Sequence, residues 1–385
     1  MSGKALLAHS GGPTAVINSS LLGVVAEARK HAQCKGLYGA RFGLRGILAE
    51  DFIDLFAQPE ELLRSIGSSP SSALGTSRLE ASHADLSRIL DVFAAHDIRW
   101  FFYTGGNGSM GTAQEIHTLA IARGYELQVV GIPKTIDNDL LETDHTPGFP
   151  SAARFAACAV RDIGADNLAL SNQVEVVEIL GRNAGWLAAS AALARHRPED
   201  APHLVYFPEN RLKLNAFLSD VGRVYKQYKR CVVAVCEGQL DENGEPFGAD
   251  VRTGSRGSLA QNLAHRLALL VTQELGLRAR SEKPGLLGRS NGAHALSSDR
   301  AEAYACGSAA VVAAVEERGG NMVTLQCQRQ PYVASTGLAA LSKVAFLERT
   351  LPAEYRNAEG NDVTPAFLAY AAPIVGEIEA YPRFQ

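Results

Sequence analysis

The chain has 385 residues, 46% of them apolar and 20% charged, with a formal net charge of −4 at neutral pH. That length exceeds what one hydrophobic core usually spans and predicts two lobes, while the mixed signs leave no basic stripe for nucleic acid and no polybasic membrane patch. No segment approaches the about 20 apolar residues of a membrane span, and the short apolar run at Met1–His9 enters a strand rather than forming a signal peptide, so a cytoplasmic location is expected.

Lys4–His9 reads as a buried strand, Ser10-Gly11-Gly12-Pro13-Thr14 as a turn, and Ala15–His31 as a helix by its apolar spacing. Phe42–Phe56 looks short and irregular, and Gly67–Gly75 is a Ser/Gly-rich loop that ends in Gly75-Thr76-Ser77-Arg78. Asp85–His96 is an amphipathic helix. The apolar run Arg99–Tyr103 leads into Thr104-Gly105-Gly106-Asn107-Gly108-Ser109 and a helix over Met110–Arg123. Leu127–Ile132 leads into Pro133-Lys134-Thr135-Ile136-Asp137-Asn138-Asp139. Thr143–Pro150 is a connector at which the first lobe hands over to the second.

Beyond it come a helix over Ser151–Asp162, a strand over Gln173–Leu180, the turn Gly181-Arg182-Asn183-Ala184-Gly185-Trp186 and a helix over Leu187–Arg195. Strands at His203–Phe207 and Arg230–Cys236 flank an amphipathic helix at Leu212–Lys229, and the second strand ends in Glu237-Gly238. A long helix over Gly257–Leu275, a basic strand-and-turn at Arg278–Gly288, a helix over Asp299–Glu317, a strand at Met322–Gln328 and a short helix in the tail Ala366–Gln385 complete the reading. Strands alternating with helices specify an α/β fold with largely parallel sheets. The six cysteines have neither CxxC nor Cys/His ligand spacing and lie mostly in apolar runs, as buried thiols of a reducing compartment do.

Three of the glycine turns sit between a strand and a helix, where backbone N–H groups can face a phosphate. The central loops add a lysine and two carboxylates at the carboxyl edge of a parallel sheet, the usual ligand crevice of such folds. Arg78 is a surface charge or a guanidinium delivered to phosphate.

With these residues in view the sequence resembles the 6-phosphofructokinases, in particular the branch containing many pyrophosphate-dependent members. Ser10-Gly11-Gly12, Gly75-Thr76-Ser77-Arg78, Gly105–Ser109, Pro133–Asp139, Leu180-Gly181-Arg182 and Cys236-Glu237-Gly238 follow the family's order and approximate spacing. The resemblance implies a two-lobed fold: a donor-binding lobe at 1–150 with the glycine and catalytic loops, and a sugar-phosphate lobe at 151–385 from which part of the C-terminal chain can return to the first. It implies Mg²⁺ dependence and phosphoryl transfer to the C1 hydroxyl of fructose 6-phosphate in glycolysis. By position, Asp137 is the base, flanked by Thr135 and Lys134. Arg182 and Arg78 offset charge on the transferring group. Gly12, Gly106, Asn107, Gly108 and Ser109 line the donor phosphates, and Asn107 and Asp139 stand near the metal. Asp139, Gly181 and Glu237 belong to the sugar side. There Arg280, from a neighbouring subunit of a homodimer or homotetramer, and Arg289 grip the 6-phosphate.

The departures are specific. Asn107 replaces an aspartate beside Mg²⁺, leaving the metal to donor phosphates, water and a remaining carboxylate. Leu286 and Gln173 stand where bacterial ATP-dependent members place a histidine and an arginine, and Leu22 and Ala26 where allosteric ones carry arginines, which predicts weak regulation by phosphoenolpyruvate or ADP. Donor signals conflict: Lys134 is typical of pyrophosphate users, whereas Gly108 lacks the aspartate that would fill and charge the α-phosphate position, and on that ground ATP is expected over pyrophosphate. Two alternatives compete. The NAD and lipid kinase group lacks the Pro133–Asp139 loop, and a catalytically silent sugar-phosphate-binding regulatory subunit is opposed by Asp137, Asp139, Lys134 and Arg182.

Overall fold

The computed structural model describes residues 1–170, 172–247 and 262–384. The strands, in chain order, are β1 (Gly3–His9), β2 (Cys34–Ala40), β3 (Phe52–Asp54), β4 (Ile98–Gly105), β5 (Gln128–Pro133), β6 (Val174–Ile179), β7 (Leu204–Tyr206), β8 (Cys231–Cys236), β9 (Ala279–Glu282), β10 (Asn321–Arg329) and β11 (Tyr332–Ala340). The helices are α1 (Ile17–Ala28), α2 (Leu44–Leu48), α3 (Glu60–Ser68), α4 (His83–Ala95), α5 (Asn107–Ala122), α6 (Phe149–Ala169), α7 (Trp186–Ser190), α8 (Leu214–Tyr228), α9 (Leu263–Leu275), α10 (Leu287–Ser290), α11 (Ser297–Val315) and α12 (Pro365–Val375). Residues 257–261 of the helix expected over Gly257–Leu275 lie outside the described residues.

The chain divides into two units, Met1–Phe149 with Arg289–Arg349, and Pro150–Gly288 with Thr350–Gln385. In the first, a sheet runs β11-β10-β5-β4-β1-β2-β3, with β2, β1, β4, β5 and β10 parallel and the two outermost pairings antiparallel. Its central strands are apolar almost throughout because both faces are covered. Along β4, Phe101 and Tyr103 enter the core with Leu86, Phe93 and Ile116 of α4 and α5. Trp100 and Phe102 enter the opposite core with Leu21 and Val24 of α1 and Ala310 and Val311 of α11. The period of two thus feeds two cores from one strand. α4 starts with a capping box in which Ser82 Oγ accepts from Asp85 N at 3.2 Å and Ser82 N donates to Asp85 Oδ2 at 2.8 Å.

The second unit holds the parallel sheet β7-β8-β6-β9. Val174, Val176, Val233 and Val235 pack on Phe217 and Val221 of α8 and Leu267 and Val271 of α9. The architecture is α/β with largely parallel sheets flanked by helices, as expected. Several segments differ from the sequence reading: β2 and α3 fall where it assigns no element, and Gly67 and Ser68, read as loop, end α3. Phe42–Phe56, read as irregular, contains α2 and β3, and the hairpin strand β11 follows what was read as the last clear strand.

Candidate active site

In the first unit β1, β4 and β5 are sheet neighbours, so the loops leaving their carboxyl ends meet at one edge. After β1 the chain turns at Gly11, whose φ of +75° is left-handed. Gly11 N donates to Ser77 O at 3.1 Å, which brings the Gly75–Arg78 loop beside this turn. Lys134 Nζ donates to Ser10 O and Gly12 O, both at 2.7 Å, and a Cβ on Gly12 would lie 2.9 Å from Arg289 Nη1. Lys134 is buried; desolvation takes its amine down to about 7, with Asp137 pulling it up and Arg289 and Arg78 pushing it further down. Gly12, Arg78, Lys134 and Arg289 therefore form one cationic group around the first glycine turn. Arg289 opens the returning segment of this unit.

After β4, Gly105 and Gly106 lead into α5. Asn107 Oδ1 accepts from Gly108 N at 2.7 Å, Ser109 is buried, and a Cβ on Gly108 would meet nothing within 4 Å. After β5, the Thr135 hydroxyl accepts from Asp137 N at 3.1 Å. Asn138, left-handed at φ +56°, accepts from Thr146 N through Oδ1 at 3.1 Å, and Thr146 Oγ1 donates back to Thr135 O at 2.8 Å. Asp139 Oδ1 is enclosed without a hydrogen-bond partner. Burial and the neighbouring Glu348 carboxylate push Asp139 up, against a hydrogen bond to Thr135 and the charge of Arg349. An orphaned anionic oxygen in acidic surroundings fits a hard cation.

In the second unit β6 and β8 are neighbours, and their following turns interlock. Gly181 (φ +146°) and Arg182 (φ +49°) pass so close to Gly238 that a Cβ there would lie 1.5 Å from Arg182 O. Only glycine fits. Glu237 N donates to Ile179 O at 2.8 Å; burial pushes the Glu237 carboxyl up, while the backbone N–H groups of Arg182 and Gly181 draw it back. Gly181, Arg182 and Glu237 are thus one group. Arg280 stands apart from them on the sheet-edge strand β9, in register with Glu175 of β6, whose carboxyl burial raises to about 7.

Sequence reasoning missed His9, Glu175 and Glu209. His9 is buried at the end of β1 and pairs through Nδ1 with Ser72 Oγ at 2.8 Å, which in turn donates to Gly75 O at 2.8 Å; burial and Lys134 lower it to about 3. The neutral ring thus donates from Nδ1 and supports the arginine loop. Glu209 Oε1 accepts from Gly185 N at 2.9 Å and Leu351 N at 2.6 Å. A buried His at a strand end is the one signal the sequence offered. Leu22 packs against Gly67 of α3, so that position offers no cation to an effector. Five cysteines are buried, Cys327 is partly so, and no disulfide forms among the described residues. No helix among them is long and apolar enough to cross a membrane.

Known proteins are similar to the chain over most of its length. The phosphofructokinase family model matches residues 4–314. The chain is 40% identical over 383 residues to the pyrophosphate–fructose 6-phosphate 1-phosphotransferase of Rhodospirillum rubrum, covering 97% of this chain and 94% of that protein. It is 39% identical to the enzyme of the same name from Xanthomonas campestris pv. campestris, covering 97% and 91%. A crystal structure of pyrophosphate-dependent phosphofructokinase from Marinobacter aquaeolei superposes with a TM-score of 0.88 at 35% identity, over 100% of this chain and 94% of that one. The glycine turns, the loop bearing Asp137 and the likeness along the whole chain agree: the protein belongs to the phosphofructokinase family, and is a phosphotransferase of that kind.

Proposed function

We propose that the chain transfers a phosphoryl group from pyrophosphate to the C1 hydroxyl of fructose 6-phosphate, giving fructose 1,6-bisphosphate and orthophosphate. The expectation of ATP, drawn from Gly108, runs against relatives that match nearly the full chain and are named for pyrophosphate. The observation that carries the reading is the cationic group of Lys134, Arg78 and Arg289 around Gly12, which suits a compact, highly charged donor.

Asp137 takes the proton of the C1 hydroxyl as that oxygen attacks phosphorus. The bridging P–O bond breaks, and its electron pair leaves with orthophosphate. Lys134, Arg78 and Arg182 offset the charge spread over the transferring oxygens. Thr135 orients the loop through the Asp137 amide. Glu237, beside Gly181 and Arg182, accepts from a sugar hydroxyl, and Arg280 of a neighbouring subunit holds the 6-phosphate. The position of Arg289 beside Gly12 favours a role at the phosphoryl groups rather than the sugar phosphate assigned to it from sequence. Mg²⁺ would be held by Asp139, with the Asn107 side chain near, and would neutralise donor phosphate oxygens. The amide costs one anionic ligand.

The test is kcat/KM with each donor at fixed Mg²⁺. Pyrophosphate should exceed ATP at least tenfold, and an enzyme faster with ATP overturns the donor assignment. Asp137→Asn should lower kcat about 10² to 10⁴-fold, the usual contribution of a general base. Wild-type kcat in that variant would remove Asp137 from the role.

A further inference from the structure

Residues 344–349 end the returning segment of the first unit and lie beyond the stretch matched by the family model. Phe346 N donates to Asn107 O at 3.3 Å, and its ring occupies the space where a Cβ on Gly111 would stand, 2.2 Å from Cζ. Three residues on, Arg349 N donates to Asp139 O at 2.7 Å. The Arg349 guanidinium reaches three carbonyls of the same loop: Nε and Nη2 donate to Asn138 O at 3.2 and 2.9 Å, and Nη1 donates to Thr143 O at 2.6 Å and Asp144 O at 2.9 Å.

These carbonyls belong to irregular backbone that turns through the left-handed Asn138; β10 holds its far end, where Asp144 N donates to Leu325 O and Leu325 N donates to Thr143 Oγ1, both at 2.8 Å, and the guanidinium spans from there back to Asn138. A planar fork of donors can satisfy several at once and hold their relative positions, which a single ammonium cannot. We propose that Arg349 is a positioning residue for the reaction, a clip that fixes the backbone between Asp137 and Asp144 and, through Phe346, ties that loop to the Asn107 turn. The clip acts through the backbone of the loop, and its charge also lies beside Asp139. Displacing a catalytic group by about 1 Å costs on the order of 10²-fold in rate, which is what its loss should do to kcat.

The inference rests on the assignment of Asp137 as base, so its test carries a readout that needs no turnover. Arg349→Lys and Arg349→Ala are compared with wild type for kcat, for KM of both substrates, and for amide hydrogen exchange across 138–146. Expected are a fall in kcat of about 10²-fold, KM values within threefold, and faster exchange confined to that loop. Added guanidinium at tens of millimolar should restore part of kcat in Arg349→Ala and none in Asp137→Asn. Wild-type kcat in a folded Arg349→Lys overturns the proposal, as does a loss of rate accompanied by exchange rising throughout the protein. If Arg349→Ala does not fold, Arg349→Lys carries the test. Should Asp137→Asn retain full activity while exchange still rises locally, the base assignment fails and the clip stands as a loop constraint without a catalytic role.

Discussion

Lys134 shows how much one residue's surroundings matter. Its type and place beside Asp137 are plain in Pro133–Asp139, but that its amine is buried against Ser10 O and Gly12 O depends on a turn more than a hundred positions away. Burial lowers it to about 7, against roughly 10.4 for an unfolded lysine. Between those values the folded chain has released a proton that the unfolded chain keeps, so folded stability rises with pH across about 7 to 10. An anion bound beside Lys134 favours the charged form, so donor binding above pH 7 draws a proton from solution. At pH 8, calorimetric titration with pyrophosphate at fixed Mg²⁺ in buffers of different ionisation enthalpy should report more proton uptake for wild type than for Lys134→Met. Equal uptake in the two would assign the proton to another group. Glu175 was illegible for the same reason, since its state follows from burial and it stands in no motif; His9 offered its place at a strand end, but its neutral state too follows from burial.

Among the elements, α1 and α11 cross with their backbones nearly touching. A Cβ on Gly23 would lie 2.1 Å from Tyr304 O, and one on Gly307 would lie 2.1 Å from Ser20 O. Both obstacles are main chain, so a methyl group must push the helices apart. Gly307→Ala should cost about 1–3 kcal/mol by overpacking, seen as a lower urea midpoint at unchanged slope, with both KM values unaltered. An unchanged midpoint would mean that the crossing has slack. Helices of this kind were legible from apolar spacing to within a few residues. The hairpin strand β11 was not, because Tyr332–Ala340 is rich in small and polar residues, shows little apolar alternation and is mostly half-buried. The loop after Asp139 has its own network: His145 is buried between Asp144 (Nδ1, 3.0 Å) and Glu302 (Nε2, 2.8 Å), and Arg329 donates to both oxygens of Asp144. Asp144, His145 and Cys327 bring ligand atoms within 4.8 Å of one another. With Arg329 on the carboxylate, an ion-pair network accounts for them without a metal.

At the scale of the whole molecule, the return of residues 289–349 to the first unit is set by β10 pairing with β5, Asn321 opposite Val130, a register that no local pattern encodes. The motifs at single strand ends were readable because each turn carries its own chemistry. Which arginine joins which motif was not, as Arg289 beside Gly12 shows. The same limit applies to Arg280, whose proposed partner is a site in another copy of the chain. The side chain is exposed on β9, and among the described residues β9 pairs only with β6, leaving a sheet edge that a second subunit can cover. Oligomers exchange such residues reciprocally, so the arrangement has a clear genetic test. Arg280→Ala and Asp137→Asn should each be nearly inactive at low fructose 6-phosphate. In a hybrid of the two, one site receives both defects and its mate receives neither if Arg280 serves the neighbouring site, so hybrid protein should recover up to about half of wild-type activity per dimer. If Arg280 serves its own chain, every hybrid site carries one defect and nothing is regained. Light scattering on the same samples should show a dimer or tetramer. An active monomer would place Arg280 outside any neighbouring site.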